Sequence, residues 1–277
     1  MITSSKNPLI KKIRRLRKSK RVREEAGLFI VEGIQGVVEA VRRGAAIEVI
    51  VYAPELLTSE IALEGIKVAQ ARGVRCQAVT GKLFETISAR QNPVGIMALV
   101  ERRLTTLGEL LVTPDALYVA LFEVSDPGNL GTILRTTDAV GGAGVLLVGQ
   151  TVDPFHPTTV KASAGTIFAI PMVQVADLDR LLAWCKREGI AVVGTSDQAE
   201  DLYWSPTYPA PLLLLMGSEA HGLPRDVLAR LPQVVSIPMH GVADSLNLGV
   251  ATALLLYEVR RQRARPPSEC DTRKAIC

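Results

Sequence analysis

"LYVALFEVSDPGNLGTILRTTDAVG", residues 117–141, decides the fold. An apolar run ends in a Pro-Gly turn and gives way to helix-like spacing, which is the strand–turn–helix unit of a parallel sheet. A glycine-rich turn ahead of a helix also invites comparison with phosphate loops. Phosphate binding at a helix start remains open on general grounds, but the spacing rules out the nucleotide-binding kind: it is neither GxGxxG nor GxxxxGK[ST], and no lysine stands where a nucleotide loop needs one. What the stretch offers instead is Asn129 in the first helical turn and Arg135 about two turns on.

Outward from it, strand-like runs recur at 145–149, 168–173, 190–195, 211–216 and 234–239, separated mostly by helical stretches, and an apolar helix closes the series at about 246–262. This predicts an α/β unit with a parallel sheet covered on both faces. Upstream, strand-like runs at 28–33, 47–53, 75–80 and 95–101 alternate with helical stretches at 34–44, 61–73 and 82–89, giving a smaller α/β unit. The division expected is 1–103, a polar connection at 104–115, and 116–277. Two more polar clusters follow strands of the second unit, where open sheets bind ligands. "MGSEAHGLP" (216–224) carries Glu219, and "IPMHGVADSLNLGVA" (237–251) offers Asp244 or Ser245 as a helix cap with Asn247 in the first turn. Each cluster alone also fits an ordinary turn or cap.

Charge is segregated. Ten basic residues (Lys6, Lys11, Lys12, Arg14, Arg15, Arg17, Lys18, Lys20, Arg21 and Arg23) precede the first acidic one, Glu24, and the remainder holds 22 basic against 28 acidic residues. Leu9, Ile10, Ile13 and Leu16 recur at helical spacing through this run, so a helix docked by its apolar side would display its cations to a polyanion. No apolar run reaches the roughly 18 residues of a membrane span. The basic N-terminus lacks an apolar segment of signal-peptide length, and Cys76, Cys185, Cys270 and Cys277 form no metal-ligand spacing. A cytoplasmic location, no membrane and no metal are expected.

Taken together and in order, Asn129 and Arg135, then Gly217, Glu219 and Gly222, then "IPM…SLN" resemble the three motifs of the SpoU/TrmH branch of the SPOUT RNA methyltransferases, over about residues 115–262. "SSKNPLIKKIRRL", "FIVEG" and "NPVGIMALV" look like the small domain, similar to ribosomal protein L30e, that precedes the catalytic domain in many members. The resemblance implies a trefoil-knotted α/β sheet, a homodimer formed through the C-terminal domain, S-adenosylmethionine as cofactor, and methyl transfer to a ribose 2′-hydroxyl of ribosomal RNA, most naturally 23S. It implies Arg135 at the reaction centre with Asn129, Glu219, Ser245 and Asn247. It also implies a cofactor cradle of Leu215, Met216, Gly217, Ile237, Met239, Leu246 and Asn247. The RNA would be held by Lys6, Lys11, Lys12, Arg14, Arg15, Arg17 and Lys18. Asp126, where asparagine is common, and Gly249, where serine is frequent, depart from the pattern.

Transfer RNA is an alternative substrate. A non-catalytic RNA-binding or ribosome-assembly factor is a rival that the basic helix alone would satisfy, and a dinucleotide-dependent oxidoreductase is another, which lacks its glycine fingerprint. His221 and His240 sit inside the second and third motifs and are bases by position only, while His156 is read as a loop residue.

Overall fold

The computed structural model of the chain describes residues 1–264; the polar tail, with Cys270 and Cys277, lies outside the described residues. Helix α1 (Pro8–Lys18) starts at Asn7, whose side chain accepts from the Leu9 amide, with proline in the first turn, where no amide is missed. Ile10, Ile13 and Leu16 are buried, so the apolar side docks as its spacing predicts. Ser19 ends α1 and caps α2 (Lys20–Ala26), and Gly27, at φ 63°, turns the chain into β1 (Leu28–Glu32).

There follow α3 (Ile34–Arg42), β2 (Ile47–Tyr52), α4 (Glu60–Ala71), β3 (Arg75–Ala78), α5 (Gly81–Glu85) and β4 (Ile96–Glu101). The sheet order is β1-β4-β2-β3, with β4 antiparallel to both neighbours. Strand residues alternate between two apolar layers. Leu28, Ile30, Val49, Val51, Met97 and Leu99 pack in the layer of α1 and Phe84, whereas Phe29, Val31, Ile50 and Ala98 lie in that of α3 and α4.

The second unit runs β5 (Leu117–Phe122), α6 (Pro127–Ala139), β6 (Gly144–Val148), α7 (Pro157–Ala162), a 3-10 turn (Thr166–Phe168), β7 (Met172–Val175), α8 (Leu178–Glu188), β8 (Ala191–Thr195), β9 (Leu212–Met216), α9 (Arg225–Leu228), β10 (Gln233–Val235) and α10 (Leu248–Arg263). All six strands are parallel, in the order β10-β8-β9-β5-β6-β7. One face is covered by α6 and α10 through Leu130, Ile133, Leu255 and Leu256, and the other by α8 through Leu181 and Trp184. The chain builds outward from β5 through β6 and β7, then resumes on the far side of β5 with β8, and β9 fills the place between β8 and β5. That reversal opens a crevice at the strands' C-terminal ends.

Two strand expectations are corrected. The run at 168–173 is strand only from Met172, because Gly165 at φ 96° leads into the 3-10 turn. The run at 234–239 ends at Val235: Ser236 turns aside to exchange backbone hydrogen bonds with Asp201 and Tyr203, and Pro238 has no amide to continue a ladder. The connection at 104–115 is fastened to the second unit, with the Thr105 amide donating to Met172 and Leu110 buried beside Tyr118 and Val173. Among the described residues no helix is long and apolar enough to cross a membrane.

Helices α6 and α7 meet at Gly131, where a Cβ would lie 2.5 Å from that of Ala162 and 2.6 Å from the Thr159 carbonyl. Gly131→Ala must push the helices apart, and overpacking of this kind costs roughly 1–3 kcal/mol. A fall in Tm on the order of 5 °C is expected in thermal denaturation; an unchanged Tm would contradict the close packing.

Candidate active site

The three polar clusters meet at the crevice between β5 and β9. Asp126 caps α6 by accepting from the Asn129 amide at 2.7 Å, and Pro127 takes the first helical position. This departure from the asparagine pattern suits the site, since a carboxylate at a helix N-terminus complements the dipole. Asn129, in the first turn, is buried. Its Nδ2 donates to Glu219 Oε1 at 2.9 Å, and its Oδ1 accepts from Asn247 Nδ2 at 2.8 Å.

Asn247 is itself the cap of α10, with Oδ1 accepting from the Gly249 and Val250 amides at 2.9 and 3.3 Å. The expectation that Asp244 or Ser245 caps this helix is thereby corrected: both precede the turn that Asn247 closes, and Ser245 is exposed, with no hydrogen bond to a described residue. The direction of every bond in the relay is now forced. Helix amides occupy the Asn247 oxygen, so its NH2 must donate to the Asn129 oxygen, and the Asn129 NH2 must in turn find an acceptor. Glu219 is that acceptor.

The Glu219 carboxylate also accepts from the amides of Ser125 and Asp126, each at 3.2 Å. Burial pushes this carboxyl up, but the hydrogen bond from Asn129 and the backbone amides outweigh it, so it titrates below its ordinary 4.5. The Ser125 hydroxyl donates to Glu219 Oε2 as well, at 3.4 Å; nothing in the sequence singles Ser125 out, where a serine before a helix cap looks like any turn residue. Gly217 is required by closeness: a Cβ there would sit 2.1 Å from Gly222, against the turn closed by reciprocal Ser218 and Gly222 backbone bonds.

Arg135 does not join the relay. Six residues beyond Asn129, it sits about 9 Å further along α6 and on another face; it is exposed and pairs with no described residue. It does share a face with Thr132, which packs against Gly249 of α10, a position where a Cβ would come 3.1 Å from the Thr132 methyl. Beside that contact α10 exposes Val250, Leu254 and Tyr257, one apolar stripe at helical spacing.

The residues expected to hold a nucleoside cofactor line the same edge. Leu215 and Met216 end β9 and Gly217 follows it, all three buried; Ile237 is half-buried, and Met239 and Leu246 are exposed. Between them, the backbone amides and carbonyls of residues 237–246 make no hydrogen bond within the described residues. Ten residues of unpaired backbone beside apolar side chains suit S-adenosylmethionine, whose adenine needs edge hydrogen bonds and a nonpolar face. His221 and His240 are exposed beside this edge, and His156 instead caps α7 through Nδ1. Among the described residues no cluster of metal-ligating side chains occurs.

The basic helix divides into two sets. Lys12 pairs with Glu48, Arg17 with Glu32, and Arg14 donates to Thr86, so these three are fastened to the body. Lys6, Lys11, Arg15 and Lys18 are exposed and form no ion pair with described residues. A cavity of about 670 Å3 between α3 and α4 shares no lining residue with the site.

Residues 116–257 match the model of the SpoU rRNA methylase family, and residues 7–98 that of the MRM3-like substrate-binding domain. A 23S rRNA (guanosine(2553)-2′-O)-methyltransferase of Bacillus subtilis is 30% identical over 94% of this chain and 98% of its own. A 23S rRNA (uridine(2479)-2′-O)-methyltransferase of Streptomyces viridochromogenes is 29% identical over 94% and 92%. The crystal structure of an AdoMet-bound rRNA methyltransferase from Sinorhizobium meliloti superposes with a TM-score of 0.86 at 37% identity, covering 95% of this chain and 98% of that one.

Because the folded Glu219 pKa lies below the unfolded value, its contribution to stability is present above about pH 4.5 and lost as pH falls through the folded pKa. The amide protons of Ser125 and Asp126, followed by NMR, should titrate together with a midpoint below 4.5. Glu219→Gln should abolish that titration. A midpoint at or above 4.5 refutes the clamp.

Proposed function

Because the chain belongs to the SpoU rRNA methylase family, we propose that it methylates a ribose 2′-hydroxyl of 23S ribosomal RNA. The observation that carries this reading is the relay from Asn247 through Asn129 to Glu219, which joins all three motifs at one crevice. S-adenosylmethionine is the cofactor; when bound, it supplies a methyl group on a sulfonium, an electrophile that needs positioning more than activation.

The chain's residues supply the rest. The open backbone of 237–246, with Ile237, Met239 and Leu246, the end of β9 at Leu215 and Met216, and Gly217 after it, holds the cofactor. Arg135, always charged, grips an RNA phosphate and the 2′-oxygen and stabilises negative charge as the hydroxyl proton leaves for the phosphate or solvent. Glu219 is ill suited to be the base, because its acceptor positions already serve Asn129 and two amides and its pKa is lowered. It positions Asn129 and the start of α6, and Asn129 and Asn247 shape the ribose side of the pocket, with Ser245 at its rim. Holding the two reactants in line contributes several kcal/mol.

The division of labour follows from the two units: residues 1–103 bind RNA, with Lys6, Lys11, Arg15 and Lys18 as its displayed cations, and 116–277 transfer the methyl group. A homodimer through the C-terminal unit is part of the proposal, supported by Val250, Leu254 and Tyr257 beside the unpaired Arg135. A second copy seated there would cover the apolar stripe and bring Arg135 to the interface. The trefoil knot implied by the resemblance is included too, and the return of α10 onto α6 and β9 is the packing it would require. The reaction is placed in the cytoplasm, with the ribosomal RNA.

The test is incubation with labelled S-adenosylmethionine and separately purified 23S, 16S and transfer RNAs, followed by mapping of the 2′-O-methyl group. Label confined to transfer RNA would move the substrate, and cofactor binding without label in any RNA would favour an assembly factor. Arg135→Ala should lower kcat at least about 100-fold, the cost of losing one preorganised charge donor. Leu254→Arg combined with Tyr257→Arg should convert a dimer to monomers in sedimentation and abolish transfer; a wild-type protein that sediments as a monomer removes the dimer from the proposal, and a variant that stays dimeric removes this stripe as its interface.

A further inference from the structure

Arg23 stands apart from the other nine cations of the basic run: it is buried, and so is its partner Asp153, with side chains 3% and 5% exposed. The partners lie in different units. Arg23 Nε donates to Asp153 Oδ2 at 2.8 Å and Nη2 approaches the same oxygen at 2.6 Å, while Nη1 donates to the Leu16 carbonyl at 2.7 Å. Leu16 is in the last turn of α1, where carbonyls lack helical partners and a cation is favoured. The Arg23 guanidinium thus ties the end of the RNA-facing helix to the catalytic unit, and Arg102 of the first unit adds a longer approach to Asp153 Oδ1 at 3.9 Å.

Asp153 is fixed from its own side. Its Oδ1 accepts from the Phe155 amide at 3.0 Å, and its carbonyl accepts from the His156 amide, one residue before α7. Phe155 packs against Phe29 of β1 with ring centroids 4.7 Å apart, and Arg102 lies 4.9 Å over the Phe155 ring. Helix α7 then abuts α6 at Gly131, between Asn129 and Arg135. The covalent tie is short and separate: the Arg102 amide bonds to Gly27 in the first unit and the Thr105 amide to Met172 in the second, so only residues 103–104 cross freely.

We propose that Asp153 is a positioning residue for RNA, holding through Arg23 the displayed cations of α1 and Arg135 of α6 in one fixed geometry. This rests on the reading of the chain as an RNA methyltransferase. An apolar pair of similar volume would hold the units together as well or better; what a forked guanidinium adds is direction. Two RNA-contacting surfaces on one rigid body act on the same molecule without the orientational cost that a hinge imposes, so loosening the pair weakens capture of RNA rather than the chemical step.

The full-length protein is tested with an unmodified 23S rRNA transcript. Asp153→Asn is expected to raise KM for the transcript about tenfold, part of the roughly 10²–10⁴-fold avidity that two linked contacts can supply, with kcat and S-adenosylmethionine affinity within about twofold. A folded Asp153→Asn whose KM is unchanged, or whose kcat alone falls, overturns the proposal and leaves the pair a purely stabilising one. If that variant does not fold, Arg23→Met with Asp153→Leu replaces it: a KM raised at least about threefold at constant kcat supports the role of the fork, and a KM like that of the wild type overturns it. If the wild-type protein methylates no RNA, the proposed function fails separately. The positioning role is then decided by filter binding of the same transcript, where a tenfold weaker Asp153→Asn supports it and equal affinity overturns it.

Discussion

The carboxylate of Glu219 is the point on which the site depends. It gathers the amides of Ser125 and Asp126 at the start of α6, and it receives the side chain of Asn129, which is itself oriented by Asn247 at the start of α10. Two helix beginnings and the turn after β9 are therefore held by one ionised group. Its acceptor character cannot be replaced by a donor, because every neighbour in the relay already points a hydrogen at it. The same donors that order the loops keep the carboxylate charged, so shape and protonation state are set by one set of bonds.

Around that clamp, the backbone of the second unit divides its duties. Strand ends and paired turns, such as the Ser218–Gly222 turn against Gly217, are rigid because their polar groups are satisfied internally. Residues 237–246 are the opposite case, with main-chain groups turned to no internal partner and Met239 and Leu246 exposed among them. A segment built this way suits a nucleoside ligand that supplies the missing partners, and it borders the exposed stripe of α10. The open segment 237–246 thus leads into the start of α10, where the exposed apolar stripe lies beside the α6 face that carries the unpaired Arg135. The first unit adds its cations from the other end of a nearly continuous apolar core, into which Phe29 and Phe155 bring one ring each.

Much of this was legible as pattern. The strand–turn–helix at 117–141 announced a parallel α/β sheet, the spacing of Ile10, Ile13 and Leu16 announced a docked basic helix, and the joint order of three weak polar clusters pointed to an RNA methyltransferase where none did so alone. Residue type misled where a local rule had several candidates. Asp244, Ser245 and Asn247 are all good helix caps, and only the place where the chain leaves the loop made Asn247 the cap. Likewise, the seven basic residues of the α1 run look equivalent in sequence, yet Lys12, Arg14 and Arg17 are spent on Glu48, Thr86 and Glu32 because the docked face of α1 brings those partners within reach.

The sequence by itself determined the elements, their alternation, the buried faces and the chemical types at the crevice, because periodicity and turn chemistry act over a few residues at a time. Only the tertiary structure decided which polar groups meet. Asn129 finds Glu219 90 residues on and Asn247 118 residues on, and Arg23 finds Asp153 130 residues on. Partners that distant are chosen by how two sheets and their covering helices pack, and no local spacing encodes that choice.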